Sequence, residues 1–317
     1  MNTYSADTIK NLLLSTIHSI FEQKDIFLNN PDSSFSRVRK ISFEQTMLFP
    51  MIASSDNVDT ELLDFFGEDN IPFQSAMIQR RNQIKPAAFE ALFYRFTQQI
   101  LALKTFYGYQ PVAADGCRLN LPYHPSDTDT FIKCIEGRKG LNQMHLNSLY
   151  DPLNDIFLDV ELQGVTHMDE KAAFTTLLKR QADLNPKAKQ IFLADRGYAS
   201  YNIFAHAIHN NQLFLIRVPE SFAKKICKNK SGWLTGPCAD EEVNVNIGRR
   251  DTKKNRQLAN YHCIQSSGHY DFLEKGTDQT DQLRLRICKF PISENSFEYI
   301  VTNISMYTFS LSTVKEL

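Results

Sequence analysis

The sequence contains no Cys-x-x-Cys pair. Its six cysteines, at positions 117, 134, 227, 238, 263 and 288, are scattered, which argues against both a zinc site and a disulfide framework. They read as reduced and mostly buried. No apolar run is long enough to span a bilayer, and the start, MNTYSADTIKNLLLSTIHSIFEQKD, lacks the basic region and extended apolar stretch of a signal peptide. The expectation is a cytoplasmic protein with no membrane partner. Internal repeats and low-complexity tracts are also missing, which sets aside repeat architectures. Neither sign of charge is in excess, the formal net charge being -1.

What is present is ordinary for a globular chain: 317 residues, 42% hydrophobic and 22% charged, enough for one large domain or two medium ones. The charge is nevertheless uneven. Residues 1–75 hold 5 basic and 11 acidic side chains, whereas residues 76–104 hold Arg80, Arg81, Lys85, Arg95 and Lys104 against Glu90 alone. Residues 217–256 hold ten basic side chains against five acidic ones, including the run GRRDTKKNRQ. Two basic islands in a neutral chain suggest a polyanion touched at two places. Either island alone reads equally well as a solvated face.

The first hundred residues carry helix signals. Ser42 and Gln45 make a capping box, and Asn57 to Phe66 is an amphipathic segment closed by Gly67. Pro72 and Pro86 sit where first helical positions would be. The stretch QRRNQIK places Gln79 to Lys85 on one helix, with forked donors and amides suited to base edges and phosphates. A plain solvated helix face fits the same residues. The expected unit is a helical domain over 1–108.

From about residue 110 the pattern changes. VAADGCRLNLP reads as a strand with an Asp-Gly break, NQMHLNSLYD and DIFLDVELQG as two further strands, MDEKAAFTTLLKRQADL as a helix stopped by Asn185-Pro186, and QIFLAD, YASYNIFAHAIHNN and LFLIRV as strand, helix and strand. Three strands followed by strand-helix units predict an α/β fold, a mixed sheet with helices on its faces. Core segments are expected over 109–218 and 291–317, with an all-β insertion over 219–290 between them.

Function in such a sheet collects at carboxyl ends of strands. Asp115 and Asp195 each follow an apolar run, and two carboxylates on adjacent strand ends suit a hard divalent ion and phosphoryl chemistry. Alternatives stand beside this. Asp115-Gly116 is a common turn dipeptide, and Asp195 could cap the next helix or pair with Arg196.

VAADGCRLNLPYHPSDTDT, GLNQMHLNSLYDPLNDIFLDV, FLADRGYASYNIFAHAI, LFLIRV and YIVTNI together resemble the successive core blocks of bacterial insertion-sequence transposases, in the branch named for insertion sequence number four. SFSRVRKISFEQTM and QRRNQIKPAAFEALF are similar to their helical N-terminal part. The resemblance implies a ribonuclease-H-like catalytic domain with an Asp-Asp-Glu triad, in which Asp115 is the first metal-binding aspartate and Asp195 the second. It further implies two Mg2+ ions, with Mn2+ able to substitute, and cut-and-paste phosphoryl transfer on double-stranded DNA by a synaptic homodimer at the bacterial nucleoid. Arg196 and Tyr198 would then face the scissile phosphate or a flanking base, as would Tyr201. Packing roles remain open for all three. Trp233 is a candidate for stacking on an unpaired base, with packing as its alternative. Arg80, Arg81 and Lys85, and Arg249, Arg250, Lys253, Lys254 and Arg256, would contact DNA phosphates. Cys117 reads as a buried small side chain rather than a nucleophile.

One departure stands out. The family's third carboxylate lies in a Tyr-x-x-Arg-x-x-x-Glu-x-x-x-x-x-x-Lys pattern on a helix after the insertion. Nothing in 1–317 matches it: Glu294 and Glu298 flank an expected strand, and Glu316 precedes the position. The 317-residue polypeptide is therefore expected to be truncated before that glutamate and inactive or nearly so. A non-catalytic DNA-binding fragment or inhibitor is the alternative, and an unrelated metal-dependent phosphodiesterase stays open because fold and metal do not fix a reaction.

Overall fold

The computed structural model describes residues 4–37, 39–54, 57–100, 104–134, 137, 139–227 and 236–317. Two compact units divide the chain, Met1–Leu103 and Lys104–Leu317.

The first unit is helical. Ser5 caps α1 (Ala6–Phe21) by accepting the Thr8 N–H at 3.1 Å, and α2 (Lys24–Phe27) follows. The capping box of Ser42 and Gln45 opens α3 (Phe43–Ile52), and Gly67, at φ 73°, ends α4 (Val58–Phe66). Helix α5 (Gln74–Arg81) starts two residues after Pro72 rather than at it, and stops at Arg81. Asn82, Gln83 and Lys85, expected on the helix of Arg80, instead lie in the turn before α6 (Pro86–Thr97). The reason is Pro86, whose ring bars the preceding residue from helical geometry and leaves Lys85 at ψ 146°. Ile17, Phe27, Phe43, Met47, Ile84 and Leu92 belong to the core that these helices enclose.

In the second unit, β1 (Gln110–Leu121), β2 (Phe131–Ile132), β3 (Leu141–Asp151) and β4 (Ile156–Gly164) form an antiparallel set centred on β3. Helix α7 (Glu170–Leu184) leads to β5 (Gln190–Ala194), parallel to β1, and α8 (Tyr201–His209) leads to β6 (Leu213–Arg217), parallel to β5. Three antiparallel strands followed by two parallel ones, in the order β4-β3-β1-β5-β6, form the ribonuclease-H-like sheet that the resemblance implies.

The stretch 219–290 is rich in strands, but it is neither purely β nor a separate layer. It holds α9 (Glu220–Ile226), β7 (Ala239–Gly248), the single turn α10 (Lys253–Arg256), β8 (Tyr261–Cys263) and most of β9 (Thr280–Ser293), which runs on to β10 (Ser296–Thr302). β10 pairs antiparallel with β6, β9 with β10, and β7 with β9. The added strands thus continue the core sheet and cover the edge that β6 would otherwise expose. Helix α11 (Leu311–Glu316) follows.

Alternation along the strands divides the core between the two faces. Val112, Ala114, Phe192, Ala194, Phe214 and Ile216 pack with α7 and α8, whereas Ile191, Leu193, Leu213, Leu215 and Ile300 pack with Phe309 and α11. The cysteines depart from expectation. Cys227 and Cys288 are buried, but Cys117, Cys238 and Cys263 are exposed. Cys117 lies on β1 past the end of its pairing with β5, where one flank of the strand is open.

An ion pair between a buried arginine and a partly exposed aspartate ties the inserted strands to the approach to α11. Arg286 on β9, 1% exposed, donates to both carboxylate oxygens of Asp240 at 2.6 and 2.8 Å. Its Nη1 also donates to the carbonyls of Phe309 and Ile304, at 2.6 and 3.3 Å. Removing Arg286 leaves two carbonyls without this donor and Asp240 with only the Cys288 thiol, and because Asp240 is a quarter exposed the loss falls toward the lower end of about 3–5 kcal/mol. Arg286→Ala should therefore lower the unfolding free energy by about that amount in chemical denaturation; a change below about 1 kcal/mol would mean that the pair does not organise this region.

Candidate active site

Parallel pairing of β1 with β5 runs from Gln110↔Gln190 to Ala114↔Ala194, and that of β5 with β6 ends at Ala194↔Ile216. The next residue on each strand is charged: Asp115, Asp195 and Arg217. These three therefore stand in a row across adjacent strands, whose spacing is about 4.8 Å. All three line a cavity of about 430 Å3, together with Glu298 on β10 and Lys315 on α11. Leu193, Leu215, Phe290 and Ile300 form part of its apolar wall.

The strand expected over VAADGCRLNLP is present, but it has no break at Asp115-Gly116, and Asp115 does not end it. Pairing with β5 stops there, but β1 continues against β3 to Leu121↔Asn142, so Asp115-Gly116 is not a turn. Gly116 is needed for a close approach instead: a Cβ there would lie 2.5 Å from His145 Cε1. His145 is buried, and its Nε2 stands 3.1 Å from Glu170 at the start of α7. Oδ1 of Asp115 accepts the Gly116 N–H at 2.8 Å, and Oδ1 of Asp195 accepts the Gly197 N–H at 2.8 Å. The capping alternative for Asp195 is thus present, over the 3-10 turn Arg196–Tyr198. The pairing alternative is not, because Arg196 reaches Glu298 instead.

Glu298 receives two guanidinium groups, Arg196 at 2.9 Å and Arg217 at 2.5 Å. Burial works to raise its carboxyl pKa, and the hydrogen bonds from Arg217 and then Arg196 outweigh it, holding the group below its ordinary value. The same hydrogen bond raises the pKa of Arg217, and the charge of Asp195 adds to the effect. Arg217 is therefore a permanent cation beside the two aspartates.

Tyr198 is buried, with its ring edge-on to Phe174. Burial, then the charges of Glu170, Asp115 and Asp195, push its hydroxyl far up, so it stays protonated. Tyr201 is buried as well, its hydroxyl 3.3 Å from His262 Nδ1. Packing describes both tyrosines, which are not open to DNA in this state.

The second basic island is largely occupied by internal partners. Arg249 donates to the carbonyls of Gly268 and Tyr270, each at 2.7 Å, and so braces a loop. Arg250 pairs with Asp278 and Arg256 with Asp251. Lys253 and Lys254 are exposed on α10. In the first island, Lys85 donates to the Ile26 carbonyl at 3.0 Å, Arg81 is exposed, and Arg80 lies over the Phe35 ring. Trp233 lies outside the described residues. Glu298 falls within β10 rather than beside it, and Glu316 is the last residue of α11.

Residues 107–317 match the family model described as Transposase DDE domain. The chain belongs to that family. Comparison with curated proteins found no match. Among solved structures, the piggyBac transposase in a synaptic complex with hairpin DNA is similar at 9% identity and a TM-score of 0.45, over 99% of this chain and 65% of that one. The Mos1 transposase in a paired-end complex with the left transposon end is similar at 12% identity and a TM-score of 0.25, over 71% of this chain and 81% of that one. The chain thus spans less than two thirds of the length of the piggyBac chain. No helix among the described residues is long and apolar enough to cross a membrane.

Arg217 and Lys315 escaped the sequence reading, and Glu298 was weighed there only as the third carboxylate and set aside. One signal was available, since PVAAD, IFLAD and LFLIR are parallel-strand runs that each end on a charge. Glu298 carried no such mark, because its place depends on β10 pairing with β6.

A carboxyl whose folded pKa lies below its unfolded one contributes stability that is present above the unfolded value and lost as pH falls through the folded value. Glu298 should therefore destabilise the transposase domain progressively as pH drops below about 4.5. The difference in thermal midpoint between the wild type and Glu298→Gln should shrink over that range, whereas a difference independent of pH would show that the carboxylate charge is not what holds the two arginines.

Proposed function

We propose that this chain is a cut-and-paste DNA transposase of the insertion-sequence-four branch, acting by metal-assisted phosphoryl transfer at the ends of its element. Its partner on this reading is double-stranded DNA, and its synaptic form a homodimer. The observation that carries the reading is the placement of Asp115 and Asp195 side by side at the carboxyl ends of paired parallel strands, on one cavity with Arg217 and Lys315.

The donor set suits a hard divalent ion such as Mg2+, or Mn2+ in its place. Each carboxylate is oriented through Oδ1 by a backbone N–H, and oxygen donors are what such ions take. When bound, the ions supply positive charge to phosphoryl oxygens and make water or a 3'-hydroxyl a better nucleophile. The protein contributes position. Asp115 and Asp195 would hold the ions, and Arg217 and Lys315 would attract a phosphodiester to the same cavity.

One observation favours a second reading, a transposase-derived DNA-binding fragment or inhibitor. Among the described residues no three His, Cys, Asp or Glu side chains are grouped to hold a metal ion. Glu298, the other carboxylate on the cavity, is neutralised by two arginines. Chemistry of this kind depends on positioning, and a two-carboxylate site should perform it poorly. On this second reading the site of two carboxylates would hold a DNA end without cutting it efficiently. A reading frame continuing past Leu317 into Tyr-x-x-Arg-x-x-x-Glu would favour the enzyme.

The test is a labelled duplex carrying the element's end, incubated with the purified polypeptide and Mg2+ or Mn2+. A retarded complex with cleavage near background is expected. A polypeptide that also carries a Tyr-x-x-Arg-x-x-x-Glu helix should cleave, and Asp115→Asn or Asp195→Asn in it should lower the rate by orders of magnitude. Efficient cutting by the 317-residue polypeptide would overturn the deficiency, and cutting retained in Asp115→Asn would overturn the site.

A further inference from the structure

The N-terminal unit holds a second cavity, of about 420 Å3, lined by Arg39, Lys40 and Arg80 with Gln79, Gln83 and Phe73 among its other residues. No carboxylate is found among the described residues that line it. This separates it from the basic run of residues 249–256, where Arg250 and Arg256 each meet an aspartate.

Two of its three cations, Arg80 and Lys40, are held in place. The Arg80 guanidinium lies 4.6 Å from the centre of the Phe35 ring, and its Nη1 donates to Gln83 Oε1 at 3.2 Å. Phe35 adopts φ 51°, a left-handed backbone costly for a bulky residue, and its ring is fixed edge-on against the buried Phe43. Lys40 Nζ donates to the Ile71 carbonyl at 2.8 Å. These contacts use neutral acceptors and a ring face, so they orient the cations without cancelling their charge. Partial burial, and then the charge of Arg39, work against the ionised form of Arg80. Two like charges at a partly desolvated place cost free energy in the free protein, and an anion between them would reverse the sign of that interaction. At the rim stands Phe73, 86% exposed, which offers an apolar face next to the charges.

We infer that this cavity is a phosphodiester-binding site, in which Arg39, Lys40 and Arg80 hold one backbone phosphate of duplex DNA and Phe73 packs against the adjoining sugar. The inference rests on the proposed transposase function only in taking DNA as the ligand. Such a contact positions the duplex and reads no sequence. A free phosphate ion would use the same cations but leave Phe73 without a role.

The test uses the full 317-residue polypeptide, a fluorescent random-sequence duplex, and anisotropy over a range of salt. Arg39→Gln should weaken binding roughly tenfold at low salt and reduce the slope of log K against log salt by about 0.9, the value for one lost phosphate contact. Its thermal midpoint should not fall, because the substitution removes a repulsion; a purely structural Arg39 would give the opposite result. Arg80→Gln should reproduce the DNA effect, Phe73→Ala should weaken binding without changing the slope, and Lys10→Gln on α1 should change neither. Inorganic phosphate should displace DNA no better than chloride at equal ionic strength. Unchanged affinity and slope in Arg39→Gln, alongside normal wild-type binding, would overturn this site alone, as would selective displacement by inorganic phosphate or by polyglutamate. A wild-type chain that binds no duplex DNA would sink both this inference and the transposase function, and only the latter fails if Asp115→Asn leaves cleavage intact.

Discussion

Parallel pairing of β1, β5 and β6 in one register governs the rest of the transposase domain. The side-chain period in a strand is two residues, so a slip of one would turn Asp115, Asp195 or Arg217 toward the opposite face and bring apolar residues to the cavity. The register is held because both faces are covered. Phe192 and Phe214 are committed to the side of α7 and α8, Ile191 and Leu215 to the side of α11. Neither set can move without exposing large apolar surface, at roughly 25 cal/mol per Å2. The chemistry of the site is therefore fixed by the packing of residues that take no part in it.

The same register creates an electrostatic problem that the inserted strands resolve. Two aspartates side by side repel, and Arg217 next to them offsets that repulsion only if its guanidinium is kept on the cavity. Glu298 keeps it there, and it arrives on β10, after the whole stretch of residues 219–290. Pairing of β10 with β6 places Ile300 opposite Arg217, while Arg286 on β9 anchors the inserted strands to the carbonyls that precede α11. The insertion thus completes the rim of the cavity as well as covering a sheet edge.

Much of this was legible in the sequence, for identifiable reasons. The runs IFLAD and LFLIR are short, apolar and bounded by turn residues, so their identity as buried strands follows from local pattern, and the Ser42–Gln45 capping box is a local signal as well. The course of β1 past Asp115 was less accessible. Asp-Gly reads as a turn, and what keeps it extended is its pairing with β3 and the His145 ring against Gly116. Glu298 and Lys315 were hidden for the same kind of reason, since their neighbours come from residues far away in the chain. The end of α5 at Arg81 was legible in principle, because the proline that stops it is written four residues beyond the cap at Asn82.

Charge shows most clearly how far composition reaches. The run GRRDTKKNRQ drew attention because its cations are consecutive, yet Arg249 is spent on backbone carbonyls and Arg250 and Arg256 on aspartates. Arg39 and Lys40 lie in a segment whose balance is acidic overall, and they attracted no notice. A charge attracts a polyanion only to the extent that the fold leaves it without a counter-charge, and counter-charges are distributed by tertiary structure rather than by sequence neighbours. Arg217 illustrates the intermediate case. Its partner Glu298 is itself shared with Arg196, so two cations and one anion at the rim leave a surplus of one positive charge where two aspartates add two negative ones. Lys315 on the same cavity brings the formal charges into balance, so it is the adjacency of Asp115 and Asp195, not net charge, that suits a divalent cation.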